Sequence, residues 1–332
     1  NNFYKSTLPD PMIVPEVELK DNQRMAEENP VRVEVERAVA KVVVSGVPEV
    51  VPHGDRIDNL KWGLDVTNQY TYWMRKMTFI ANSGGVPGEM EQLNSGYREE
   101  RYAEDPNFTG FSAWNGGNPA GQFEYLSGTP ELTKDFDDYD YTLENTMEAV
   151  EQRHDVTTRV VISGTYTPNG FGSVATRNSG GISFYYFKGN AIRVEAMRDM
   201  VNDRNLIPQE LRDAGLEQAI NDVLAWNPNA FNSPTASFSV GGLNFYYEGV
   251  CYYTVLIRHF SNNMVPVLMG YGRYGVVRNN VYQLSINKII GPGQPVINPP
   301  GTDPDDEDTS WISADVNIMR WYIRNQNVEE LL

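Results

Sequence analysis

Cysteine is almost missing from this 332-residue chain, which has only Cys251. One thiol cannot close an intramolecular disulfide, so no cystine framework holds the fold. Cys251 lies in the apolar run Val250-Cys251-Tyr252-Tyr253, which predicts a buried, inert thiol rather than a nucleophile. Histidine is scarce as well. His53, His154 and His259 are scattered, and none has a partner at the spacing of a zinc site. No run of about 18 apolar residues occurs, so no membrane-spanning helix is expected. The Gly-x-Ser-x-Gly elbow of serine hydrolases is absent. Gly270-Tyr271-Gly272-Arg273-Tyr274-Gly275 is glycine-rich, but no Lys-Ser or Lys-Thr follows it. It reads as a hairpin or loop before the next strand, not as a phosphate cradle. Basic residues are outnumbered, 27 against 44 acidic ones, for a net charge of −17. Such a surface repels phosphate backbones and anionic lipid, so nucleic acid is not an expected partner. No pair of carboxylates stands apart from the rest. The sequence gives no reason to expect an enzyme, a metal or a cofactor.

What the chain does have is a composition for short strands and turns. Hydrophobic residues make up 40% and charged residues 21%, with 19 Tyr, 28 Gly and 20 Pro. The length suggests two domains. Val31 to Ser45 reads as a long strand whose apolar phase shifts after Arg37, as at a bulge or a passage between sheets. Leu60 to Met77 reads as a second long strand. Residues 79–142 read as loop, and Thr142 to Gln152 as a short helix. Within that loop, Asp135-Phe136-Asp137-Asp138-Tyr139-Asp140-Tyr141 lacks the Gly and the distal Glu of an EF-hand. It reads as a solvated acidic loop, with cation binding as the other reading. Asn107-Phe108-Thr109 fits a glycosylation sequon, a pattern common by chance.

Thr157 to Thr167 and Ile182 to Phe187 follow as strands. Asn190 to Asn202 and Ile207 to Trp226 have apolar stripes at helical spacing. Ser237 to Gly241, Leu243 to Glu248, Val250 to Phe260 and Val276 to Ile290 are strands again, the last stopped by Gly291-Pro292-Gly293. Strands framing a helical insertion predict a mainly β fold of the β-sandwich class.

The chain ends on its most informative stretch. Gly301 to Ser310 reads as a linker too acidic and polar to pack. Beyond it, Ile312, Ala314, Val316 and Ile318 alternate with polar residues, the period of a strand with one buried face. After Ile318 the apolar parity changes to Met319, Trp321 and Ile323. A strand on a tether must join a sheet, its own or a neighbour's.

Three stretches carry a family resemblance. Val31-Arg32-Val33-Glu34-Val35-Glu36-Arg37-Ala38-Val39-Ala40-Lys41-Val42 resembles a strand of the Bacteroidales fimbrillins, the type V pilins. Leu60-Lys61-Trp62-Gly63-Leu64 through Asn68 resembles the strand that opens their C-terminal domain. Tyr274 to Asn287, with Arg278-Asn279-Asn280 and Tyr282, resembles a later one, followed as in the family by a Pro- and Asp-rich linker and a Trp-containing terminal strand.

The resemblance implies two β-sandwich-like, transthyretin-like domains with a small helical insertion. Residues 1–57 would be the remainder of an N-terminal domain, 58–300 a C-terminal domain, 301–310 the linker and 311–332 the terminal segment. Only 30 residues precede the first family-like strand, and the chain opens at Asn1 without Met, so a processed or truncated chain with an incomplete N-terminal domain is expected. The resemblance further implies export as a lipoprotein precursor through the outer membrane, proteolytic removal of a first strand, and polymerisation into a surface fimbria by donor-strand exchange. Partners would be copies of the same chain, accessory fimbrial subunits and a host surface protein or glycan. The donor residues would be Ile312, Ala314, Val316, Ile318, Met319, Trp321 and Ile323. Two alternatives stay open. One is that residues 312–323 are the last strand of the chain's own domain; the other is a tip or accessory adhesin rather than a shaft subunit.

Overall fold

The computed structural model describes residues 22–28, 37–73, 103–110, 121–172, 181–259, 272–307 and 312–320. These residues form fourteen strands and four α-helices. The fold is mainly β, as expected. Its strands are β1 (Val39–Ser45), β2 (Glu49–Val51), β3 (Arg56–Asp65), β4 (Thr67–Asn68), β5 (Phe123–Glu124), β6 (Tyr139–Leu143) and β7 (Arg159–Thr167). They continue with β8 (Phe184–Phe187), β9 (Asn190–Arg193), β10 (Phe238–Val240), β11 (Leu243–Tyr246), β12 (Val250–Leu256), β13 (Asn280–Ile290) and β14 (Ile312–Arg320). The helices are α1 (Gln23–Glu28), α2 (Val194–Asn202), α3 (Gln209–Asp213) and α4 (Leu216–Trp226).

Two sheets make the main layer pair. One has the order β14-β13-β1-β6, with β2 also on β13, and the other the order β12-β7-β3. Their facing residues share one core, built from Ala40, Val42 and Val44 of β1, Tyr282, Leu284 and Ile286 of β13, Trp62 of β3, Val160 and Ile162 of β7, and Tyr253 of β12. Alternation places these side chains on one face of each strand. Buried tyrosines need partners for their hydroxyls. Tyr246 and Tyr253 donate to the carbonyls of Gly293 and Gly291, at 2.7 and 2.8 Å, and so tie the turn after β13 to the core. Cys251 is fully buried, and burial pushes its thiol up to about 12, so it is inert at neutral pH.

The helical insertion forms a second core. The sheet β10-β11-β8-β9 packs Tyr185, Phe187 and Phe245 against Met197 of α2 and Ile220 and Val223 of α4. The helix expected over Ile207 to Trp226 is two helices, because Gly215 takes a left-handed conformation (φ 94°) between them. The first expected helix begins four residues late, since Asn190–Arg193 pairs with β8 instead.

Other elements also depart from their sequence reading. The stretch expected as loop contains β5 and β6, and Thr142 and Leu143 belong to β6 rather than to a helix. Strand β3 stops at Asp65, where Val66 has a positive φ of 55°. Residues 31–36 of the first expected strand and 74–77 of the second lie outside the described residues. The expected boundary at residue 57 falls within β3, and β1 and β2 share the sheet of β13. Asn107 of the sequon is fully buried, with its amide donating to Tyr70 O and Asp105 Oδ1, so the folded chain offers no acceptor there. None of the described helices is long and apolar enough to cross a membrane.

Candidate assembly segment

Strand β13 is the scaffold of this segment. It pairs parallel with β1 (Tyr282 opposite Val42) and antiparallel with β14. Along it, Asn280, Tyr282, Leu284, Ile286 and Ile289 are buried. The β14 register sets Ile318 opposite Tyr282, Val316 opposite Leu284, Ala314 opposite Ile286 and Ile312 opposite Ile289. Met319 lies opposite Val281, on the other parity. The four alternating candidates thus stand in line with the buried row of β13. The ladder runs unbroken through Ile318 and Met319 to Arg320, and its one irregularity falls between Ile286 and Lys288. In the single chain β14 therefore pairs at home and forms one edge of its sheet. Trp321 and Ile323 lie outside the described residues.

The stretch before β14 corrects a sequence expectation. Gly301 to Ser310 reads as too polar to pack, yet Asp303 to Asp306 is seated on the body. His154 N–H donates to Asp303 O at 3.1 Å, and Asp305 N–H to Gln152 O at 3.2 Å. Thr157 Oγ1 donates to Asp305 Oδ2 at 2.6 Å. Asp306 Oδ1 accepts from Arg273 Nε at 2.8 Å and from Tyr274 OH at 2.7 Å. Most of the polarity that argues against packing is matched here by donors and a cation, which is the condition for burying it, while Asp305 Oδ1 is buried without a hydrogen-bond partner.

Comparison with known proteins adds the family. Residues 244–327 match Fimbrillin_C, the C-terminal region of fimbrillin, major fimbrial subunit protein type IV. The C-terminal part of this chain is thus similar to the C-terminal region of fimbrillins. The match runs from β11 across the seated stretch and β14. The chain also aligns with a fimbrilin structure from Porphyromonas gingivalis at 15% identity and a TM-score of 0.37, covering 88% of this chain and 60% of that one. A protein assigned to cell adhesion from Parabacteroides distasonis aligns at 15% identity and a TM-score of 0.30, covering 86% of this chain and 52% of that one. The chain thus spans less than two thirds of either structure. No curated protein matches it.

The fimbrillin-like motif around Arg278 has a structural explanation. Arg278 Nε donates to Glu144 Oε2 at 2.8 Å, both side chains being 3% exposed. Asn279 takes a left-handed conformation (φ 63°), and its N–H donates to Val39 O at 3.0 Å. Asn280 Nδ2 donates to the carbonyls of Val277 and Arg278. Tyr282 OH accepts from Val277 N–H at 2.7 Å and lies 2.6 Å from His259 Nδ1. These residues set the entry of β13 and, through Val39, its alignment with β1. Sequence reading missed Glu144, Asn145 and Asp105, which act from the stretch expected as loop or helix. Asn145 is fully buried; it donates to Asn68 Oδ1 and Val156 O and accepts from Thr158 N–H. No local pattern marks such residues, because their partners are distant in sequence. Among the described residues no group of side chains could hold a metal ion.

Burial pushes the Asp305 carboxyl up to about 7, and the nearby Asp306 and Asp155 add to this, while the Thr157 bond and Arg159 oppose it. The folded chain therefore keeps a proton that the unfolded chain, with an ordinary value of 3.8, has released. The stability from this group is full below about pH 4 and falls as pH rises to about 7. Asp305→Asn imitates the protonated acid. Relative to the parent, it is expected to gain about 1–3 kcal/mol of unfolding free energy between pH 5 and pH 8, read from denaturant titrations at both values.

Proposed function

We propose that this protein is a structural subunit of a cell-surface fimbria, of the minor-fimbria shaft kind, that polymerises by strand exchange through residues 311–332. The observation that carries this reading is a fimbrillin match that extends over β14, a strand at the edge of its sheet. An edge strand that leaves β13 exposes a row of backbone N–H and C=O groups. A strand from a neighbour restores that ladder, with Ile312, Ala314, Val316 and Ile318 as the alternate side chains that fill the groove and Met319, Trp321 and Ile323 on the continuation. Passing the strand from head to tail does not close on itself, so it builds a filament rather than a ring. The partners are further copies of the chain and accessory fimbrial subunits, with adhesion to a host surface protein or glycan as the outcome. Export as a lipoprotein precursor through the outer membrane belongs to the same reading.

Deleting Ile312 to Leu332 should abolish polymers on the cell surface while the truncated chain remains folded by circular dichroism. Polymers of parental length from a folded truncated chain would contradict the proposal.

A further inference from the structure

The stretch before β14 is fastened more firmly than a linker requires. Arg153 and Pro304 form an antiparallel bridge, flanked by the backbone bonds from His154 N–H to Asp303 O and from Asp305 N–H to Gln152 O. The Arg273 and Asp306 side chains are each 7% exposed, and Asp305 is 3% exposed. Opening this seat would separate a desolvated ion pair and strand buried backbone groups. An acidic stretch can dock on this acidic protein because Arg273 pairs with Asp306 and Thr157 donates to Asp305.

We infer that Asp303 to Asp306 is a fixed anchor, which stays seated as the pivot when β14 changes partner. The pivot rests on the strand exchange proposed above, whereas the anchor itself is a property of the single chain. One consequence is a limit on reach. Five Cα steps separate Glu307 from Ile312, at most about 18 Å when extended, so a neighbour must bring its receiving edge that close to the anchor.

Amide hydrogen exchange of the full chain tests this. In the monomer, the Asp305 and His154 N–H groups should exchange at least about a hundredfold more slowly than unprotected amides. Asp306→Ala should speed both by about tenfold or more and leave Val160 and Tyr253 in the β7–β12 ladder unchanged. Arg273→Gln serves the same purpose if that variant does not fold. Free exchange at Asp305 and His154 in the parent monomer would overturn the anchor whatever the assembly mechanism. In assembled polymers both amides should stay protected. Loss of protection on assembly would overturn the pivot, without touching the separate result on whether residues 312–332 are needed for polymers.

Discussion

Gly46→Ala should cost about 3 kcal/mol or more of stability, or leave no folded protein to measure. Gly46 follows β1 and leads into β2, and both strands lie parallel to β13. Its φ is +114°, a conformation that L side chains rarely adopt, and an added Cβ would stand 2.5 Å from Ile286 O, 3.0 Å from Ile286 N and 3.2 Å from Ile286 C. All three are backbone atoms of the scaffold strand, so no rotamer change relieves the contact. The alanine would strain its own backbone and push on β13 beside the irregularity in its ladder with β14. Chemical denaturation reads the effect. A loss below about 1 kcal/mol would mean that β1 and β2 do not pass β13 this closely.

The second large effect is expected at Arg278. Its guanidinium donates to Glu144, to Thr71 Oγ1 and to Tyr72 O. Arg278→Met leaves the Glu144 carboxylate buried without its cation, a change that costs about 3–5 kcal/mol when a buried pair is broken from one side. Adding Glu144→Gln removes the stranded charge, so the double variant should recover at least about 1 kcal/mol over the single one. Equal stability of the single and double variants would show that the pair is not coupled. The expected loss also gives a physical account of the Arg278-Asn279-Asn280 stretch. It holds the start of β13.

The sequence made the β character legible, together with most strands after residue 157. Those strands have clean alternation or short apolar runs bounded by Gly and Pro, and the Gly291-Pro292-Gly293 stop falls where β13 ends. The terminal strand was legible for the same reason, and Ile312 to Arg320 is a strand. Two kinds of feature were hidden. Elements of a few residues, such as β5 and β6, form because a neighbouring strand offers a ladder, and they have no length in which to show a period. Polar residues that pack, such as Asp305, Asp306, Asn145 and Glu144, look like solvated surface until their distant partners are known. The acidic stretch before β14 shows this best. Its composition reads as tether, and Arg273, Tyr274 and Thr157, which hold it, lie 32 to 148 residues away in the chain.

For the chain to polymerise by the proposed strand exchange, β14 must leave its home ladder. Ser285 and Asp315 stand directly opposite each other across β13 and β14. A disulfide between cysteines at these two positions would lock β14 at home, and the buried Cys251 thiol would not compete for it. The decisive measurement is polymer length for the Ser285→Cys, Asp315→Cys chain under oxidising and reducing conditions, with the parent chain as the control in both. The account predicts monomers when the chain is oxidised and polymers of parental length when it is reduced. Polymers of parental length from the oxidised, locked chain would contradict it.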